Sequence, residues 1–543
     1  MKKILVSALL LVTMIFNMLV MASCSGDDSG LNLGDITGAL DKVGYPVPAE
    51  GYDGSEVTIT FYHTMSQTTL QPVLEAAIVE FNKLYPNIHI EHTAVGGYDD
   101  VVDKIKTELT AGNQPNIAYC YPDHVALYNI ARAVVPLDNF IDSTITITDA
   151  TGKTSILGLE NKSDFVEAYY KEGAVYDKAG TMYTMPLSKS TEALFFNKSF
   201  FENCRKIYAS DVELDLNGNT VYDVDDNGTP EDETDDIYNT RPNPHKGDEN
   251  YNISVPTDRA LSWDEIEALC AKILAVDPNC IPLGYDSESN WFITMCEQLK
   301  SGYTTVDTSN HFLFDNEENR EFVEKFAEWY KKGYVTTKEL YGAYTSNLFK
   351  EIDASKQKCY LVIGSTGGAN NQVAPKDGNG NYVFECAIAP IPQASSNPEE
   401  HKAISQGPSL CIFKDSNPQE VVASWLFVKY LTTNIAFQAQ FSIKSGYAPV
   451  IKSVNQNPTY AQWLAKADGY GNLTASSVKF AIEQGDICYV SPAFNGSSAA
   501  RLQVGLIIQN VFAAAKAGNN IKDAIDQEFK LAINECKHSI GAK

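Results

Sequence analysis

Past residue 24 the chain has no apolar run of 18 residues, so nothing beyond the N-terminus is long enough to span a bilayer. Its 11 cysteines include no C-x-x-C pair, which removes the zinc-ribbon and thioredoxin-type readings. G-x-S-x-G and H-E-x-x-H are both absent, so a hydrolase elbow and a zinc-protease helix have no motif support. No heptad pattern is sustained, and a monomer is expected. Positive charge is short: 42 Lys and Arg stand against 69 Asp and Glu, for a formal net charge of −27. That balance argues against nucleic acid and anionic lipid as partners. Hydrophobic (44%) and aromatic (11%) residues are plentiful enough for a packed interior. A chain of 543 residues exceeds what one core holds, so two large lobes or several domains are expected.

Lys2 and Lys3 precede an apolar stretch over 4–20, followed by Met21-Ala22-Ser23-Cys24. A basic start, an apolar run and small residues before a break form an export signal. The last four residues resemble a bacterial lipobox, with Met21 where that pattern prefers Leu. The resemblance implies removal of residues 1–23, lipidation of Cys24, and an extracytoplasmic location anchored to the cell membrane. A retained transmembrane helix is the alternative, for which the stretch is marginally short. Residues 24–53 are rich in Ser, Gly, Asp and Pro and read as a flexible tether. The other ten cysteines are scattered, several in apolar stretches (Cys120, Cys359, Cys386, Cys411), so mostly free thiols are expected rather than a disulfide framework.

Val57, Ile59 and Phe61 alternate with polar neighbours, which predicts a strand. Leu70, Val73, Leu74, Ala77, Ile78, Phe81 and Leu84 recur at helical spacing. A second strand over 88–92, a helix over 98–111 and a strand over 117–121 complete a β-α-β-α-β run. That order predicts a parallel sheet, whose ligands bind beyond the carboxyl ends of the strands. His63, Tyr98 and Tyr121-Pro122-Asp123-His124 then share one rim. Ser262 and Glu265 have capping-box spacing. Residues 317–333 read as an amphipathic helix, Asn417-Pro418 opens another, and the last long helix starts near Ser498.

Residues 211–250 hold 13 acidic and 2 basic residues. Within them, Asp223, Asp225 and Asn227 with Gly228 match D-x-D-x-[DN]-G, a calcium-loop start in which Thr229 supplies a carbonyl and Glu231 falls at position 9. Position 12 is Thr234 rather than Glu. A structural calcium ion and a solvated acidic loop are both consistent with this pattern. Asp215, Asn217 and Asn219 form a partial second copy.

Ten stretches, in order, carry a resemblance: FYHTM, VEFNKLYPNIHIE, AGNQPNIA, AVVPLDNFI, YTMPLSKSTEALFFNKSFFE, LSWDEIEALCAKI, IGSTGGANN, QGPSLCIFK, WLFVKYLTT and SGYAPV. The chain resembles the extracellular solute-binding proteins of ABC importers, in the group that includes the maltodextrin and glycerol-3-phosphate binders. The resemblance implies a two-lobe α/β fold of the periplasmic-binding-protein type, type II topology, with a ligand cleft between the lobes. Carried onto this chain, one lobe is 54–188 plus 403–450 and the other 189–402 plus 451–543, with 205–255 an acidic insertion. It implies a binding protein rather than an enzyme, which needs no cofactor and delivers a small sugar or polyol phosphate to a membrane permease. A surface sensor or adhesin on the same fold and an exported glycoside-acting enzyme are the rival readings.

The ligand contacts that the resemblance implies are Tyr98, Asp123, Ser190, Trp291, Ser365, Tyr447 and Arg501. Trp291 is expected as an aromatic platform, and Arg501 as a guanidinium at a helix start. Asp123 against His124, and ligand against helix cap for Asp123, stay open, as does a surface ion pair for Arg501. Where maltodextrin binders carry aromatics, this chain has Ser498-Ala499-Ala500 and Ser365-Thr366-Gly367-Gly368, so a long linear glucan is not expected.

Overall fold

The computed structural model describes residues 42–541, apart from 178, 226–232, 234–235, 307–309, 354 and 468–471. The β-α-β-α-β run forms as its periodicity predicts. Strand β1 (Val57–His63) buries Val57, Ile59, Phe61 and His63 on one face. Helix α1 (Gln71–Leu84) turns Leu74, Ala77 and Phe81 inward. Strand β2 (Ile88–Ala94), helix α2 (Tyr98–Ala111), strand β3 (Ile117–Cys120) and the short helix α3 (Pro122–Tyr128) follow. The two-residue strand β4 (Met185–Pro186) closes this part of the chain.

A second set then begins. Strand β5 (Glu192–Asn197) is buried along almost its whole length, as a central strand covered on both faces must be. Helix α4 (Lys198–Ala209) leads into the acidic insertion, where Tyr222–Asp225 and Ile237–Thr240 pair as an exposed hairpin. Helix α5 (Trp263–Val276) starts with the expected box: Ser262 Oγ accepts the Glu265 amide at 3.1 Å, and Glu265 accepts the Ser262 amide at 2.7 Å. Strand β6 (Leu283–Tyr285), helices α6 (Glu288–Leu299) and α7 (Glu317–Lys331), and strands β7 (Val335–Thr337), β8 (Leu361–Ser365) and β9 (Cys386–Pro390) complete the set.

The remainder includes β10 (Ala403–Ile404), β11 (Ser409–Ile412), α8 (Pro418–Thr433), α9 (Ile435–Ser445), α10 (Leu473–Glu483), β12 (Cys488–Tyr489), α11 (Ser497–Lys516) and α12 (Ile521–Ser539). Two five-stranded sheets result, ordered β2-β1-β3-β11-β4 and β7-β6-β8-β5-β9, and β10 pairs with β12. In the first, β1 runs parallel to β2 and β3 while β11 is antiparallel to β3 and β4. In the second, β6 is parallel to β7 and β8, and β5 is antiparallel to β8 and β9. Each sheet has its own core. Phe81 and Phe427 meet at 5.1 Å in the first, and Trp263 and Phe326 at 5.2 Å in the second. Full burial of each such ring contributes roughly 1.5–3 kcal/mol. The molecule is a two-lobe α/β protein.

Two boundaries differ from the sequence reading. Residues 451–464 were expected in the second lobe, yet Ile451, Val454 and Tyr460 lie in the first core, and the Val166 amide donates to the Val450 carbonyl at 2.9 Å. The tether was expected to run to 53, but from Lys42 on the chain packs against the first lobe. Lys42 pairs with Asp138 at 3.0 Å, Asn139 Nδ2 donates to the Tyr45 carbonyl at 2.8 Å, and Tyr45 stacks on Phe140 at 6.0 Å. Cys24 and the rest of the N-terminal segment lie outside the described residues. The ten cysteines from Cys120 to Cys536 are free thiols. Among the described residues no helix is long and apolar enough to cross a membrane.

Candidate ligand site between the lobes

The chain passes between the sheets on strands that clasp one another. Lys189 and Ala448 exchange backbone hydrogen bonds at 3.0 and 2.7 Å, and Ser190 and Gln406 do so at 2.9 and 2.8 Å. Beneath them lies a fully buried ion pair. Lys189 Nζ donates to Glu172 Oε1 at 2.6 Å, to the Gly407 carbonyl at 3.2 Å and to Ser409 Oγ at 3.2 Å. Ser405 Oγ donates to the other Glu172 oxygen at 3.0 Å. Every donor and acceptor of the pair is engaged, which is what a charge removed from water requires. Gly407 is necessary here: its φ is +101°, and a Cβ would sit 2.4 Å from the Ser188 carbonyl.

Above the clasp is a cavity of about 110 Å³ whose walls include Tyr121, Asp123, Glu172, Tyr303, Gln406 and Arg501. Larger grooves of about 430 and 620 Å³ lie on the second lobe; the smaller cavity is built by both lobes at the crossing strands. On the first-lobe side, α2 begins at Tyr98, whose ring packs on Tyr121 at 4.6 Å and on Tyr119 at 6.4 Å. Burial pushes all three phenols up. Tyr447 closes this cluster against the turn after β8. A Cβ on Gly367 would meet its ring at 2.6 Å, so glycine is what permits the approach.

Arg501 is the fifth residue of α11 and donates to Asn290 Oδ1. Asn290 Nδ2 donates to Glu192 Oε1 at 2.9 Å, and the Tyr285 hydroxyl donates to Glu192 Oε2 at 2.7 Å. Burial raises Glu192 to about 7, although both of those donors favour its charged form. The Arg501-Asn290-Glu192-Tyr285 chain holds the guanidinium in place, and Arg501 lines the cavity.

The expected contacts divide. Asp123, Arg501 and the Tyr98-Tyr447 cluster meet at the junction of the lobes. The geometry bears on the helix-cap reading of Asp123. Tyr121 is the N-cap of α3 and its amide donates to His124 Nδ1 at 3.3 Å. Asp123 instead accepts from Ser498 Oγ at 3.1 Å across the lobes. Ser190 and Ser365 bond each other at 3.2 Å, and Ser365 Oγ also accepts the Gly367 amide at 3.2 Å, so both hydroxyls are engaged in holding the turn. Trp291 is a correction. It is wholly buried, 4.8 Å from Tyr285 and 4.4 Å from Phe326, because α6 turns that position into the second core and leaves Asn290 to face Arg501. It offers no ring face to a ligand.

Glu172, Lys189, Gln406 and Tyr303 escaped the sequence reading. Lys189 and Gln406 stand within matched stretches (YTMPLSKSTEALF, QGPSLCIFK), which was the one available signal. In the acidic insertion, Asp223 pairs with Arg241 at 2.6 Å. Asp225 lies on the same hairpin, while Asn227, Thr229 and Glu231 fall outside the described residues. Asp215 accepts the Asn217 and Asn219 amides at 2.9 and 2.8 Å, so the partial second copy is an Asx turn. Among the described residues no group of three or more His, Cys, Asp or Glu is placed to hold a metal.

His63 is occupied beneath the rim. Its Nδ1 accepts the Met65 amide at 3.1 Å and its Nε2 meets His92 Nδ1 at 3.0 Å. This arrangement needs His63 neutral, and burial, aided by His92, pushes its pKa down from 6.5 to about 4. The folded state therefore binds fewer protons than the unfolded one between those values. The contribution to stability is complete above about pH 6.5 and is lost as pH falls toward 4, on the order of 3 kcal/mol. His63→Asn should flatten this limb of a urea-stability profile against pH; an unchanged slope would show that another group carries it.

The model of the bacterial extracellular solute-binding protein family matches residues 76–467. A sequence search of curated proteins finds no match. Among solved structures, the fold is similar to the GacH receptor of Streptomyces glaucescens, determined unliganded and with acarbose, at 16% identity over 90% of this chain and 99% of that one, with a TM-score of 0.60. It is similar to Lmo0181 of Listeria monocytogenes in complex with cycloalternan, at 14% identity over 90% and 99% and a TM-score of 0.61. It is also similar to UgpB of Mycobacterium tuberculosis in complex with glycerophosphocholine, at 16% identity over 89% and 99% and a TM-score of 0.60. With the family matched over most of its length and the two-lobe fold in place, the chain belongs to the bacterial extracellular solute-binding proteins, the extracytoplasmic binding components of ABC importers.

Proposed function

We propose that this protein captures a small uncharged sugar between its lobes and delivers it to a membrane permease, held at the membrane by lipid on Cys24. The charge balance of the cavity carries the reading. Asp123 and Glu172 stand on its walls with Arg501, and the nearby Lys189 is committed to Glu172. No excess of positive charge remains to offset a phosphate, so the sugar is favoured over the polyol phosphate. Polar groups that meet hydroxyls and tyrosine rings that cover an apolar sugar face are the features such a site needs. With Trp291 in the core, Tyr121 and Tyr303 are the rings available at the cavity. A glycoside-acting role fits less well, since both oxygens of Glu172 are engaged and neither is left to serve as acid or base. The structural calcium ion remains a proposal for the acidic insertion, with Asp223, Asp225, Asn227, Thr229 and Glu231 as its candidate ligands.

The test is isothermal titration with glucose, maltose, sucrose and glycerol 3-phosphate. A sugar is expected to bind, and glycerol 3-phosphate to bind more weakly or not at all. Arg501→Ala should weaken the bound sugar about 10- to 100-fold, the scale of one or two hydrogen bonds to a charged donor. Tight binding of glycerol 3-phosphate alone would overturn the choice of ligand.

A further inference from the structure

Hydrogen-bond capacity around the cavity is unevenly spent. Glu172 has both oxygens engaged, by Lys189 and Ser405. Asp123 accepts from Ser498. Ser497 Oγ accepts the Phe494 amide at 2.9 Å and donates to the Pro492 carbonyl at 3.2 Å. Gln406 differs: the residue lines the cavity, and its Oε1 is buried with no donor among the described residues. A buried carbonyl oxygen without a donor is costly and calls for a reason. Its backbone, by contrast, is fixed, exchanging two hydrogen bonds with Ser190 on the neighbouring crossing strand.

We propose that Gln406 reads the occupant of the cavity, its Oε1 accepting a hydrogen bond from a sugar hydroxyl. The inference rests on the carbohydrate reading above and deepens it. The chemistry selects a hydroxyl. Arg501, also on the cavity wall, can only donate, and Gln406 Oε1 can only accept. A phosphate or carboxylate would satisfy Arg501 and could take the Gln406 Nε2 hydrogens, but it would leave Gln406 Oε1 without a donor. An ammonium would suit Gln406 and be repelled by Arg501. A polyhydroxylated ring, whose hydroxyls both give and take, suits the two together. Because Gln406 lies on a crossing strand, this contact also joins occupancy to the segment about which the lobes move.

Gln406→Leu and Gln406→Glu test this, titrated with glucose, maltose and sucrose, with melting of the unliganded proteins as the second readout. Gln406→Leu removes the orphaned acceptor. Its unliganded melting temperature should equal or exceed that of the parent, while affinity for whichever sugar binds falls about tenfold or more. Gln406→Glu keeps an acceptor and should lose less. A merely structural glutamine would give the opposite pattern, a lower melting temperature with unchanged affinity. Equal affinity in the parent and Gln406→Leu would overturn the assignment and leave the carbohydrate reading standing. Binding of none of the three sugars by the parent would overturn both.

Discussion

Lys189→Met is expected to cost about 3–5 kcal/mol of stability, the scale seen when one partner of a buried ion pair is removed. The lysine is fully buried and its ammonium makes three hydrogen bonds, to Glu172, Gly407 and Ser409. Methionine fills much the same volume, so the loss is electrostatic: Glu172, almost fully buried, loses its counter-charge and retains only Ser405. A double variant, Lys189→Met with Glu172→Gln, removes that stranded charge and should recover a large part of the loss. Urea unfolding followed by circular dichroism measures both. A single variant within about 1 kcal/mol of the parent, far below that scale, would show that the pair is solvated in solution. A double variant no better than the single would show that packing, not charge, carries the effect.

Trp291→Ala is expected to cost a similar amount, about 3–5 kcal/mol, through the cavity it would leave in the second core. Its ring is surrounded by Tyr285, Phe326, Trp263 and Phe512, at centroid distances of 4.8, 4.4, 6.0 and 5.8 Å. Trp291→Phe should lose less than half of this, since much of the contact survives. Sugar affinity of the folded protein should change by less than about tenfold, the equivalent of 1.4 kcal/mol, because Asn290 and not Trp291 holds Arg501. Unchanged unliganded stability together with abolished sugar binding would reinstate the ring as a ligand platform.

These two residues mark where sequence reading stopped. The β1-α1-β2-α2-β3 run and the cap at Ser262 were legible because their causes are local: period, spacing and turn chemistry within a few residues. Arg501 and Asp123 were named from the resemblance, and both stand on the wall of one cavity. Trp291 was misplaced because neighbouring positions on a helix face different ways, and only the packing of α6 decides which faces the cleft. Glu172 and Lys189 gave no periodic signal, and their partners Ser405, Gly407 and Ser409 are more than 200 positions away in the chain. The placement of 451–464 likewise depends on Phe165, with which Ile451 bridges.

The strap formed by residues 42–53 bears on how such a protein could work while moored. With lipid on Cys24, the stretch to Lys42 reaches at most about 65 Å, and it arrives on one half of the molecule only, beside Asp138 and Phe140. If Cys24 is lipidated as proposed, a pull from the bilayer would fall on that half, and the partner half would carry none of the leash.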